Sequence, residues 1–96
     1  MEKTNKNEAN KASVLEKLES VRAALQAEPA RADLVKALDQ CDRLQLAISQ
    51  FHAEGLRFAA FTLLRMTLPP GTTFGPAVQR AAQMLKTALD AAGYPH

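Results

Sequence analysis

The chain has 96 residues, enough for one domain and too few for two independent cores. Hydrophobic residues make up 47% and charged residues 23% of the sequence, which excludes a disordered chain and a fibrous protein. Twelve basic residues against ten acidic ones leave a net charge of +2, too small to indicate a nucleic acid or a membrane surface as the partner.

The sequence carries no sign of secretion or of membrane insertion. A single cysteine, Cys41, cannot form an intrachain disulfide, so a disulfide-stabilised secreted domain is excluded. The first residues are charged and polar, unlike a signal peptide. The most apolar stretch, 56–68, contains Arg57 and Arg65 and is followed by two prolines, so no transmembrane helix is expected. These features predict a soluble, cytoplasmic protein with no membrane partner.

Two parts of the chain differ in composition. Residues 1–11 are mostly Lys, Asn, Glu and Thr, and we predict a disordered lead-in there. Residues 12–96 are predicted to form a single helical domain. Its first helix should run from about Lys11 to the residues before Pro29, because proline disfavours helical backbone. The apolar residues of this helix recur at helical spacing: Val14, Leu18, Val21 and Leu25.

The second helix is predicted to begin near residues 30–33 and to reach Met66. Gly55 has two interpretations: the interior of one continuous helix, or the left-handed residue that ends a helix. Continuity is favoured because the apolar spacing keeps its phase across Gly55, which gives three helices; a break there gives four. The spacing of four and three residues forms a heptad-like seam: Ala37, Cys41, Leu44, Ile48, Phe51, Gly55, Phe58 and Thr62.

The last helix should follow a turn over residues 67–75, which holds two prolines and two glycines. Pro76 suits the first helical position, and Gly93 suits the position just past the end. The residues expected on its buried face are Val78, Ala81, Ala82, Leu85, Ala88 and Leu89.

This pattern predicts an all-α protein, an antiparallel helical hairpin or bundle that is completed by dimerisation. The outer helices present one apolar stripe each, whereas the central helix presents two, so a second copy is expected to cover the remaining seam. The missing side chain of Gly55 would let the partner approach closely. The alternative is a monomer in which the seam is internal core. The predicted interface consists of Leu44, Ile48, Phe51, Gly55, Phe58 and Thr62.

Candidate chemistry is sparse. His52 is expected on the second apolar face, either as a half-buried histidine bonded to Ser49 or a backbone carbonyl, or as a proton carrier or pH-sensitive switch. Cys41 is expected to be a small buried hydrophobic residue. Two histidines and one cysteine show no metal-ligand spacing, and no nucleophile with an adjacent base can be assembled. We therefore expect no enzyme activity, no metal and no cofactor.

The function expected from these features is a non-enzymatic binding or regulatory module that acts as a homodimer. One alternative is a carrier or sensor of a small apolar ligand or a partner helix, through the apolar region 51–74. Its ligand or switch residues would be His52, Phe61 and Phe74.

A second alternative is a weakly basic regulator associated with nucleic acid, although its cations are sparse for groove binding. The amides of residues 71–75 could hold an anion before the last helix, or form only a turn. The anion or nucleic-acid contacts would be Arg57, Arg65 and Arg80.

Overall fold

The structure, a computed structural model, describes residues 2–50 and 52–96, with side chains from residue 10 onward in those ranges. They form four helices and no strand, which confirms the all-α class: α1 (Glu2–Gln26), α2 (Ala32–Gln50), α3 (Ala53–Thr67) and α4 (Pro76–Ala92). The helix α1 packs most extensively on α4, and α2 packs on α3. The contact between α3 and α4 is the smallest of these contacts, so α3 is held mainly by α2.

One core runs between the four helices, as the apolar spacing predicts. The predicted stripe of α1 and the whole predicted face of α4 are buried. On α2 the buried side chains are the first half of the predicted seam, Ala37, Cys41, Leu44 and Ile48, together with Leu34 and Ala47. On α3 they are Leu56, Ala59, Ala60, Leu63, Leu64 and Thr67. A single chain therefore closes most of its own apolar surface.

The predicted continuous central helix is wrong. The chain forms two helices, α2 and α3, and it breaks before Gly55 and not at it. His52 has extended backbone angles, φ −89° and ψ 98°, and is the N-cap of α3. Residues 46 and 47 lie beside residues 58 and 59 across a shared cleft, so α3 folds back along α2 as a hairpin. The three-helix arrangement is therefore replaced by four helices.

The ends of the other helices agree more closely with the sequence. The helix α4 begins at Pro76 and stops at Gly93, whose φ of 74° lies in the left-handed region that glycine adopts easily. The helix α1 ends before Pro29, as expected, but it begins at Glu2, ahead of the predicted start near Lys11. Disorder of residues 1–11 in solution stays a prediction.

Candidate interaction surface

The α2–α3 junction is held by the imidazole of His52. Its Nδ1 accepts a hydrogen bond from the backbone N–H of Gly55 at 2.9 Å, which satisfies one of the free amides at the start of α3. Its own backbone N–H donates to the carbonyl of Ala47 at 3.0 Å and closes the end of α2. His52 is exposed to solvent and caps a helix, so its predicted place on a buried apolar face is wrong.

The cap formed by His52 requires that residue 55 has no side chain. A Cβ atom at position 55 would lie 2.7 Å from Nδ1 of His52, closer than any normal contact. The space that the sequence assigned to an approaching partner is therefore filled by the chain's own imidazole ring. Gly55 is half-buried beneath that ring.

The predicted dimer interface is divided by the fold. Leu44 and Ile48 are fully buried in the core of one chain, so their assignment to an interface is corrected to core packing. Phe51 lies outside the described residues. Thr62 is half-buried, and Phe58 projects into solvent. Because the chain breaks at His52, the two halves of the seam no longer share one side of one helix.

Two phenylalanines stand out on the exposed side of α3. Phe58 is 66% exposed and Phe61 is 53% exposed. Glu54 lies one turn before them and Arg65 one turn after. At 100° per residue these four side chains fall within an arc of about 60°, opposite the buried residues of the helix. We call this stripe, Glu54, Phe58, Phe61 and Arg65, the α3 face.

Two arginines lie beside the phenylalanines of the α3 face. The guanidinium of Arg65 lies 6.0 Å from the centroid of the Phe61 ring, at the outer limit of a cation–π contact. Arg57 is exposed and has no ion pair or hydrogen bond to any residue that the structure describes. Both cations therefore remain available to a carboxylate from outside the chain.

Of the clefts that border the α3 face, two are lined by Phe58. One, of about 400 Å³, lies between α3 and the C-terminal residues and is lined by Ala53, Glu54, Arg57, Phe58, Phe61, Pro95 and His96. The other, of about 280 Å³, lies toward α2 and includes Leu46, which is 57% exposed. Phe58 lies between these two clefts, and Phe61 lies between the larger one and a third cleft of about 290 Å³ beside Arg65, so the two rings form a ridge.

The C-terminal wall of the larger cleft is tied to α4. His96 hydrogen-bonds to Asp90, and this bond, assisted by the nearby Lys86, lowers the pKa of the Asp90 carboxyl. Asp90 and Lys86 also form an ion pair at 3.5 Å. The charged groups of this wall therefore pair with one another. Arg57, which lines the same cleft from α3, has no such partner among the described residues.

Phe74 and the loop before α4 do not form the predicted sites. Phe74 is only 4% exposed and lies beneath the guanidinium of Arg31, 4.5 Å from the ring centroid, so its assignment as a ligand residue is corrected to core packing. The carboxylate of Glu28 accepts the N–H of Gly75 at 3.0 Å. One of the amides of residues 71–75 that were expected to bind an external anion is thus occupied by the chain's own Glu28. Arg80 is exposed on α4 and is not part of the α3 face.

Cys41 lies at the centre of the α2 core and not at a site. It is fully buried, and burial raises the pKa of its thiol to about 12, so the thiol is neutral at ordinary pH. Next to it, Arg22 hydrogen-bonds to Asp42 and Gln45 and links α1 to α2. Burial opposes the charge of Arg22, but its bonds to Asp42 and Glu19 outweigh burial and raise its pKa.

Among the described residues, no group of three or more His, Cys, Asp or Glu side chains is placed to bind a metal ion. Within the same ranges, none of the helices has both the length and the apolar character that crossing a membrane requires. Comparison with protein-family models, with curated proteins and with solved structures finds no match for this chain.

Sequence reasoning identified Phe58, Phe61 and Arg65 but did not group them. It assigned Phe58 to a dimer interface, Phe61 to a ligand site and Arg65 to an anion contact, and it singled out neither Glu54 nor Leu46. The spacing of Glu54, Phe58, Phe61 and Arg65 is itself the missing signal, because intervals of four, three and four residues place all of them on one side of a helix.

Proposed function

We propose that this chain is a non-enzymatic binding module that acts as a homodimer, with the α3 face as its contact surface. The observation that carries this proposal is the pair of exposed phenylalanines, Phe58 and Phe61, one turn apart on the same side of α3. Single exposed apolar side chains are ordinary on protein surfaces, but a contiguous aromatic ridge is typical of an interaction site.

The packing of the bundle supports α3 over α2 as the contact surface. Leu44 and Ile48 already contribute to the core, so exposing them to a partner would require the chain to open. Phe58 and Phe61 need no rearrangement to be buried by a partner. Aromatic side chains with neighbouring arginines are enriched among the residues that contribute most to binding energy, and Arg57 and Arg65 supply such neighbours here.

The experiment that tests this proposal is light scattering coupled to size-exclusion chromatography, over a range of loading concentrations. The wild-type chain should show a mass that rises from 10.4 kDa toward twice that value. The double variant Phe58→Ser/Phe61→Ser should remain a monomer, because it removes the apolar ridge and leaves the core intact. Val35→Ser is the matched control, since Val35 is 67% exposed on α2. A wild-type mass that stays at 10.4 kDa at millimolar concentration would contradict the homodimer.

The cleft of about 400 Å³ beside Phe58 and Phe61 favours one second candidate, a small apolar ligand. Such a ligand would bind the folded chain and raise its melting temperature in proportion to the logarithm of ligand concentration. A thermal-shift series with short aromatic carboxylates, which match Arg57, distinguishes this candidate. Phe61→Ser should abolish any shift, and a shift that survives this substitution would place the ligand elsewhere.

A further inference from the structure

The charge and apolar pattern of the α3 face is complementary to itself. It has an acidic residue, two phenylalanines and a basic residue, at intervals of four, three and four positions. Reversing the direction of the helix keeps the intervals and the central phenylalanines and exchanges the two charges. A second copy of α3 laid antiparallel on the first therefore places phenylalanine beside phenylalanine and carboxylate beside guanidinium.

We infer that two copies of this chain dock through antiparallel α3 helices, about a two-fold axis level with the midpoint between Ala59 and Ala60. This inference rests on the proposed homodimer and names its geometry. In this register, Glu54 faces Arg65 of the partner subunit, and Phe58 faces Phe61 of the partner subunit. The symmetry repeats each contact, so the interface holds two ion pairs around four aromatic rings.

The parallel alternative is disfavoured by the same residues. A two-fold axis along parallel helices would bring Glu54 close to its own copy and Arg65 close to its own copy. Like charges at equivalent positions disfavour association. The antiparallel arrangement instead pairs opposite charges, and it also places the dipoles of the two helices in opposite directions, which is favourable. Glu54 and Arg65 are therefore the residues that determine orientation and register, and the phenylalanines supply the buried area.

The expected dimer is weak. The helix α3 has 15 residues, and a contact limited to two such helices falls below the size of a standard stable interface. We expect a dissociation constant on the order of 10 to 100 µM, the range of transient contacts of this size. Weak association suits a charge test, because a modest change in each ion pair then produces a measurable change in the fraction of dimer.

The test uses charge reversal and mixing, measured by sedimentation equilibrium on the full chain. Glu54→Arg alone places arginine opposite arginine twice, and Arg65→Glu alone places glutamate opposite glutamate twice. Each single variant should raise the dissociation constant about tenfold, since attraction is replaced by repulsion at both symmetric positions. An equimolar mixture of the two variants should form a heterodimer with about the wild-type affinity, because both ion pairs are then attractive.

Two controls distinguish ion pairs across the antiparallel interface from an effect of these two charges on the stability of α3 itself. Glu54 and Arg65 also lie at the ends of α3 that favour their charges, so each reversal weakens the helix itself. A role confined to helix stability predicts no gain on mixing, and it predicts that Glu54→Arg/Arg65→Glu is worse than either single variant. The register predicts that this double variant dimerises like wild type. Arg80→Glu, an exposed reversal on α4, should leave the dissociation constant unchanged.

The outcomes distinguish the inference from the proposed function. If the wild-type chain is a dimer that Phe58→Ser/Phe61→Ser abolishes, but the charge variants neither weaken it nor recover on mixing, the register is wrong and the homodimer stands. If the wild-type chain is a monomer at every concentration, both the homodimer and the antiparallel register are wrong. If the single variants weaken association and mixing restores it, the antiparallel register is established.

Discussion

At the residue scale, His52 determines where the central segment breaks. Histidine is not among the strongly preferred N-cap residues, so the sequence did not mark position 52 as a helix start. The signal was the glycine three residues later, where any larger side chain would collide with the imidazole. The apolar spacing continues across residues 48–58, and it concealed the break, because spacing records which side of a helix is buried and not whether the helix is continuous.

Substitutions at positions 52 and 55 should be coupled. His52→Ala removes the cap and should lower the free energy of unfolding by about 1 kcal/mol, whereas His52→Asn retains an acceptor and should match wild type. Gly55→Ala should bring no gain in the wild-type background, because its Cβ displaces the imidazole. In the His52→Ala background it should stabilise by up to about 1 kcal/mol, since alanine is the better helix former. Urea denaturation measures all four variants, and equal effects of Gly55→Ala in both backgrounds would contradict the cap.

Cys41 was predicted from its position in the apolar spacing, and its burial is confirmed. Because burial raises the pKa of the thiol to about 12, above its ordinary value near 9, the reactive thiolate is scarce at pH 8. A disulfide reagent at pH 8 should therefore label the native chain far more slowly than the urea-unfolded chain. The variant Cys41→Ala/Ser49→Cys places a thiol at an exposed position of the same helix and should label rapidly when folded. Equally fast labelling of native Cys41 would contradict its burial.

At the scale of elements, the short loops act as caps for the neighbouring helices. Gly75 offers no side chain to cap α4, and Glu28 of the α1–α2 loop supplies the acceptor instead. Arg31 in the same loop bonds to Thr73 and covers Phe74. Pro29 marked the first loop, and the prolines and glycines of residues 67–75 marked the loop before α4. The sequence could not pair these two loops, because a bond between residues 28 and 75 depends on the tertiary arrangement of four helices.

Removing the carboxylate of Glu28 should therefore destabilise the whole bundle. Glu28→Ala should lower the free energy of unfolding by about 1 kcal/mol, and Glu28→Gln by about half as much, because glutamine keeps an acceptor oxygen but loses the charge near the start of α4. Glu16→Ala, an exposed position on α1, is the matched control and should change little. Urea titrations at low and at high salt measure these effects. A Glu28→Ala variant as stable as the control would show that the bond to Gly75 contributes nothing.

At the scale of the whole molecule, the fold class and most core residues follow from the sequence, and the position of the proposed contact surface does not. The seam Leu44, Ile48 and Phe58 is regular along the chain, yet the hairpin at His52 sends its first half into the core and leaves Phe58 in solvent. A second copy was predicted because one continuous central helix would carry two apolar stripes, and that helix does not form. In the folded chain, the described large apolar side chains that remain exposed are the two phenylalanines of α3 together with Val35, Leu46 and Met84.

The central claim is that Phe58 and Phe61 of one copy contact those of another. Isotope-filtered nuclear Overhauser measurements on a millimolar mixture of ¹³C-labelled and unlabelled chain test it most directly. The account predicts intermolecular cross-peaks between the Phe58 ring of one copy and the Phe61 ring of the other, and their loss in Phe58→Ser. A sample that diffuses as a 10.4 kDa monomer, or intermolecular cross-peaks confined to residues outside α3, would contradict it.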